Sequence, residues 1–229
     1  MAFRPPVERW RGTAAAVSPP GLPVDLVLAE IELESGGKPG ICSSANACGL
    51  MQVKPSVVLQ YNASHKPIPF DRMRGTTPEA AADQIRIGAW LLDHHLRIMN
   101  KREPARAPYP AGPVTDWQAR AADLRYSHGG GAFDRLRAAA RTAGFPDDFD
   151  GWREYQQTHN PSWTSENPFF HAFAAWELAQ AAGGTRRDML ARYGGTSPGK
   201  PSRVTARAGT GGAGFLALLA LAIAAARKA

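Results

Sequence analysis

Thr77-Pro78-Glu79 marks the start of the longest regular stretch in the chain. A hydroxyl able to cap a free backbone N–H comes first. A proline that lacks only a donor the first turn does not need follows it. An acid at the positive end of a helix dipole completes the signal. Behind them Ala82, Ile85, Gly88/Ala89, Leu92 and Leu96 recur at helical spacing, which predicts an amphipathic helix to about Met99. A helix that long, with one apolar stripe, needs other helices to cover it. The other regular stretches are of the same kind, so the chain is expected to be mainly α.

Asp25 is read as the cap of a helix from Leu26 to Ser35. Asp116 or Thr115 caps another from Trp117 to Tyr126, which stops at Ser127-His128 and three glycines. Phe133, Leu136 and Ala140 mark an amphipathic helix over 132–143. Phe169 to Ala182 reads as an apolar helix, and a last helical piece ends near Tyr193. Leu50 to Val53 is expected to start a further helical stretch that Pro55 breaks or restarts.

The organisation that follows is an irregular N-terminal arm over 1–21, a helical core over 22–144 and an accessory helical region over 145–195 that completes the domain. Within that last region Trp152, Tyr155 and Trp163 can stack on sugar rings or cover the core. Residues 196–212, rich in Gly, Ser, Thr and Pro, read as a flexible linker. Residues 213–228 then form an apolar helix with Arg227-Lys228 at its end. Such a helix has no solvated face. With Gly211-Gly212 its apolar run spans roughly 24 Å at about 1.5 Å per residue, against a bilayer core of about 30 Å. It is expected to anchor at a membrane or to pack in a protein assembly.

Net charge is +7, but six basic residues and no acids lie from Arg192 to the end. The rest is close to neutral. No nucleic acid is therefore expected as a partner, because that role wants a basic face on the folded domain. Residues 1–20 hold Pro5, Pro6, Pro19 and Pro20 and no apolar core longer than Ala14 to Val17, so export by the general secretory route is not expected from them. The cysteines, Cys42 and Cys48, are either two small residues or a disulfide across a short loop, which needs an oxidising compartment. No Cys/His cluster has zinc spacing, and the doublet His94-His95 cannot turn both rings to one face, so a surface doublet and no metal site are expected. No cofactor is expected.

Chemistry centres on Glu34. Val27, Ile31 and Glu34 are spaced to share a helix face, so Glu34 is expected to be half buried. Glu30 lies one turn before it, and Glu32 points away, into solvent. Burial and the like charge of Glu30 would both raise the Glu34 pKa, as a general acid near neutral pH requires. Gly36-Gly37 and Pro39 stop the helix. A loop of small residues leads to Gly49, where the backbone can approach closely, and to Gln52, a polar group that could reach a sugar amide or hydroxyl.

Together these pieces resemble the soluble lytic transglycosylase domain family, which has a lysozyme-like fold. Glu34-Ser35 with Pro39 matches its E-S-x-x-x-P stretch, and Gly49-Leu50-Met51-Gln52 matches the G-L-M-Q fifteen residues after the acid. Gln84-Ile85-Arg86-Ile87-Gly88 resembles the N-I-x-x-G element. Arg125-Tyr126-Ser127-His128-Gly129 resembles A-Y-N-x-G. Gln84 and Ser127 both stand where the family usually has Asn. The resemblance covers about 22–140, and residues 145–195 have no counterpart in it.

The resemblance implies cleavage of peptidoglycan glycan strands between N-acetylmuramic acid and N-acetylglucosamine. Glu34 would be the single general acid and base, and a 1,6-anhydro end would form. Ser35, Gln52 and Tyr126 would orient Glu34 or hold the sugar. Gly49 and Ser127 would contact substrate, and Met51 would line the groove. Two other readings stand beside this one: a goose-type lysozyme-like hydrolase, or an inactive wall-binding or membrane-penetrating component. The substrate lies in the periplasm or wall. Delivery by a phage particle or a secretion assembly is therefore expected, with 213–228 helping at the membrane.

Overall fold

The computed structural model describes residues 2–159 and 168–189. Trp163, the linker over 196–212 and the apolar segment 213–228 lie outside the described residues. Ten α-helices are described: α1 Pro5–Glu8, α2 Arg11–Val17, α3 Val24–Ser35, α4 Pro55–Asn62, α5 Pro78–Arg102, α6 Asp116–His128, α7 Gly130–Thr142, α8 Phe149–His159, α9 Pro168–Gln180 and α10 Arg186–Met189. Phe70–Arg74 adds a 3₁₀ turn. The described residues contain no strand, only isolated bridges such as Cys42 with Cys48. The chain is mainly α, with the lysozyme-like architecture. Among the described residues no helix is long and apolar enough to cross a membrane.

α3 is the central element. Leu26, Val27, Leu28, Ala29, Ile31 and Leu33 are all buried, so the helix is packed on most of its circumference. α9 lies against both α3 and α6, and α5 packs against α6. α9 is itself apolar nearly all round, which fits a helix wedged between two others. A second cluster, built on Met99, Phe133, Phe149 and Trp152, joins α5 to α7 and α8. Trp152 is therefore a core residue, its ring edge-on to Phe133 and its Nε1 donating to Asp147. Tyr155 packs edge-on to Phe145.

The N-terminal residues are not an irregular arm. They form α1 and α2 and close over the end of α3. Pro5 and Pro6 start a helix here, because a first-turn proline costs no hydrogen bond. Arg9 and the Trp10 indole both donate to the Gly37 carbonyl, each at 3.0 Å. Gly37 has φ +82°, and a Cβ there would meet the Pro6 carbonyl oxygen at 2.1 Å, so only glycine admits this contact.

The same closure corrects the expectation for Glu32. It is buried, not solvated. Arg4 donates to it at 2.8 and 3.1 Å, and the Arg186 backbone N–H donates at 2.9 Å. Helical spacing places Glu32 opposite Glu34 but does not reveal that two distant segments return to cover that side. Asp25 is not the cap of α3 either. Pro23 holds that position, and Asp25 pairs from the first turn with Arg11 at 2.9 Å.

Two side-chain features of α5 hold the loop after α3. Thr77 caps α5 by accepting from the Ala80 N–H at 3.2 Å. Buried Gln84 accepts from Leu50 N–H at 2.9 Å and donates to the carbonyls of Gly75 at 2.7 Å and Arg72 at 3.1 Å. One turn on, Gly88 leaves room for Met51, since a Cβ there would lie 2.5 Å from the Met51 Cβ.

Residues Leu50–Val53 are a turn, not a helix. Gly49 and Gln52 both have positive φ, +84° and +45°. Cys48 and Val53 exchange backbone hydrogen bonds at 2.8 and 3.0 Å. Pro55 then opens α4.

Candidate functional site

Glu34 lies in the last turn of α3, just before Gly36 ends the helix in the left-handed conformation with φ 59°. Its side chain is 18% exposed and opens into a cavity of about 610 Å³. The walls come from the loop over Ser43 to Ala47, the turn through Gln52 to Lys54, α4, Leu91 and His95 of α5, the end of α6 with the start of α7, and His171 of α9 with Arg186 beyond it. Glu34 is the one carboxylate among the described residues that line it.

The residues of the G-L-M-Q turn divide between wall and support. Gln52 lines the cavity, its amide nitrogen donating to the carbonyls of Gly49 at 3.0 Å and Ile41 at 3.1 Å. Met51 does not line the groove. It is fully buried under Gly88, and its backbone carbonyl accepts the Tyr126 hydroxyl at 2.6 Å. Gly49 supplies the close approach to Gln84, whose side chain a Cβ would meet at 2.6 Å. The Cys42–Cys48 disulfide ties the loop to this turn.

Ser35 does not touch the cavity. Its hydroxyl donates to the Ile31 carbonyl at 3.1 Å and accepts from Gly37 N–H at 3.2 Å, so it closes the end of α3. Tyr126 and Ser127 both line the cavity, the latter donating to the Asp123 carbonyl at 3.0 Å. Burial, then the nearby Glu34, pushes the Tyr126 phenol well up, so it stays protonated and keeps donating to Met51. His95 corrects the expected surface doublet. It is buried and lines the cavity, and burial followed by Arg125 pushes its imidazole down to about 3. His94 instead stacks on Trp90.

Behind Glu34 stands a group of side chains that sequence reasoning did not bring together. His171 Nε2 is 3.7 Å from Glu34 Oε1. Its Nδ1 is 3.6 Å from Asp123 Oδ1 and 3.8 Å from Glu30 Oε2. Glu30 and Asp123 are buried, and none of their four carboxyl oxygens has a hydrogen-bond partner. Asp123 lies on α6 one turn before Tyr126, within the segment that carries the resemblance. His171 stands alone in the apolar run of α9. A lone imidazole on so apolar a helix needs a polar partner, and that was the one signal available.

These neighbours set the electrostatics of Glu34. Burial raises its pKa, and the Asp123 charge adds to this. His171, Arg186 and Lys54 oppose both, and the net direction is upward. Glu30 is not the like charge acting on it. Burial and Asp123 hold Glu30 far above the usual carboxylate range, so it stays neutral. For His171, burial favours the neutral ring, but the charges of Glu34 and Asp123 outweigh it and the pKa rises.

Glu30, Asp123 and His171 are donor types that divalent cations use, and their atoms lie within 4.8 Å of one another. The separations of 3.6 and 3.8 Å from the imidazole are wider than the roughly 3.4 Å between two ligands placed about 2.1 Å from a tetrahedral zinc.

A sheltered carboxylic acid with a raised pKa, at the edge of an open groove, can deliver a proton to a bound oxygen and take one back. Comparison with individual curated proteins finds no match. The family model for the transglycosylase SLT domain matches residues 13–128, just over half of the chain. That segment contains α3, the turn over Gln84 and Tyr126, while α7 to α10, with His171, lie beyond it. The chain belongs to the transglycosylase SLT domain family.

Proposed function

We propose that the cavity is the active site of a peptidoglycan lytic transglycosylase in which Glu34 is the single general acid and base. Membership of the family supports a glycan-cleaving transglycosylase acting on peptidoglycan. One observation carries the finer reading: no carboxylate other than Glu34 faces the cavity from the described residues. Ordinary glycosidases place a second carboxyl across the bond to act as nucleophile or to activate water. Asp123 and Glu30 are close to Glu34 but lie behind it, buried, and neither lines the groove.

In this reading protonated Glu34 gives its proton to the glycosidic oxygen between N-acetylmuramic acid and N-acetylglucosamine. The bond to the anomeric carbon breaks with help from the substrate acetamido group. The muramoyl 6-hydroxyl then bonds to that carbon and its proton returns to Glu34, leaving a 1,6-anhydro end. The acid is regenerated within one turnover, and no water or cofactor enters. The raised pKa favours the protonated form that the first step needs. Tyr126 and Gln84 hold the Gly49–Gln52 turn, and Gln52, Ser127 and Lys54 offer polar contacts to sugar and peptide groups.

The test is mass spectrometry of muropeptides released by the wild type and by Glu34→Gln. Anhydro ends from the wild type and none from the variant are expected. Reducing muramic acid ends would make the protein a hydrolase, and equal release by both would remove Glu34 from the chemistry. The Cys42–Cys48 disulfide favours action in an oxidising compartment such as the periplasm or wall. We place residues 213–228 at a membrane surface or in a phage or secretion assembly. Flotation of the full chain with anionic vesicles, compared with a chain ending before residue 196, tests the membrane half of that placement.

A further inference from the structure

We propose that His171 is the positioning cation for Glu34: an imidazolium with Glu34 on one ring nitrogen and the buried Glu30–Asp123 pair on the other, set against the charge that appears on Glu34 when it gives up its proton. This rests on the reading of Glu34 as the acid. The ring is oriented for the role. Nε2 faces Glu34 at 3.7 Å, and Nδ1 faces Asp123 at 3.6 Å and Glu30 at 3.8 Å. An imidazole can donate towards acids on both sides at once only in its doubly protonated form.

Burial of the neighbouring acids supports the assignment. Two carboxyls without hydrogen-bond partners in the core would be costly if both were charged and unpaired. One proton shared by the pair leaves one charge, and His171 Nδ1 lies within 3.8 Å of both acids. One charge on the Glu30–Asp123 pair facing a cationic His171 leaves the cluster neutral before Glu34 gives up its proton. Proton donation leaves Glu34 negative beside a cation already in place, which needs no rearrangement at that moment. When the 6-hydroxyl proton returns, the cluster is neutral again, and His171 neither gains nor loses a proton throughout.

The groups facing the ring come from every neighbouring element. α3 contributes Glu30 and Glu34, and α6 contributes Asp123, with Tyr126 beside these three acids. Arg186, beyond α9, opposes the protonation of His171, and Lys54 acts with Arg186 on Glu34 from the cavity side. α9 lies beyond the segment that the family model matches, so this cation is supplied by the part of the chain that completes the domain.

The primary test is nitrogen NMR of the uniformly labelled full chain near neutral pH. Both ring nitrogens of His171 should carry protons in the wild type, and Asp123→Asn should shift the ring towards its neutral form. A neutral ring in the wild type, or one equivalent of metal bound through it, overturns the proposal. The second test is kinetic. His171→Gln should lower kcat by about a hundredfold, comparable to loss of one preorganised donor. It should also move the alkaline limb of the pH profile upward, because Glu34 loses the cation that lowers its pKa. An unchanged rate, or a lower rate with the limb unmoved, contradicts the proposal. If His171→Gln does not fold, the wild-type ring signals decide. If the wild type releases no anhydro muropeptides, the reading of Glu34 fails, while the ring signals still report on the ion pair.

Discussion

Gln84 is the side chain that fixes the Gly49–Gln52 turn to the long helix α5, and Gln84→Leu tests its weight. The amide makes three hydrogen bonds, one from the buried Leu50 N–H and one to each of two partly buried carbonyls, at 2.7 to 3.1 Å. Leucine keeps most of the volume, so little cavity is created. What is lost is satisfaction of three backbone groups. An orphaned buried donor costs about 1–3 kcal/mol, and a carbonyl that water can partly reach costs less. A total of about 3 kcal/mol follows, a large fraction of the roughly 5–15 kcal/mol that holds a domain together. At about 2–4 °C per kcal/mol for a domain of this size, Tm should fall by about 6–12 °C. Gln84→Asn, one methylene shorter, should fall between wild type and Gln84→Leu. Differential scanning calorimetry measures both, and glycan-strand cleavage should fall with Gln84→Leu even well below its Tm, because Gln52 and the Tyr126 contact move with the turn. A Tm within about 1 °C of wild type for Gln84→Leu would refute the account of how the turn is held.

Other outcomes follow from the same contacts. Gly88→Ala should destabilise by about 1–3 kcal/mol through overpacking, and trimming Met51 to Ala, which removes the Sδ that would lie 2.6 Å from the new methyl, should recover part of that loss in a thermal-melt double-mutant cycle. Cys42→Ser with Cys48→Ser should cost about 2 kcal/mol by loop entropy, since the bridge spans a sequence separation of 6. The double variant's Tm should be insensitive to reductant, unlike that of wild type. Glu30 has a raised pKa in the fold, so the folded state binds more protons than the unfolded one. Its contribution to stability is complete below the ordinary carboxylate pKa and is lost as pH rises through the folded value. Glu30→Gln should therefore flatten the decline of Tm with rising pH, as melts across a pH series would record.

Elements whose sequence carries its own punctuation were legible. Thr77 with Pro78 started α5, Thr115 was one of two candidate caps for α6, and the apolar spacing gave a mainly helical fold. Glu34 was singled out because it shares a helix face with Val27 and Ile31. What failed depended on chain segments returning from far away. Spacing alone leaves Glu32 solvated, but Arg4, just before α1, and Arg186, at the start of α10, cover it. Groove lining by Met51 was implied only by the resemblance, and the close approach at Gly88 that buries it is a packing fact that no spacing encodes. The Gly49–Gln52 turn read as a helix start, since its apolar residues hide two positive φ values. His171 and Asp123 lie on different helices and meet only because α9 wedges between α3 and α6.

The most direct measurement of the central claim is the mass spectrum of muropeptides released from purified peptidoglycan by the wild type and by Glu34→Gln, with folding of both checked by calorimetry. The account predicts 1,6-anhydro muramic ends from the wild type and no release above background from a folded Glu34→Gln. Anhydro ends produced equally by both proteins, or reducing muramic ends from the wild type, would contradict it.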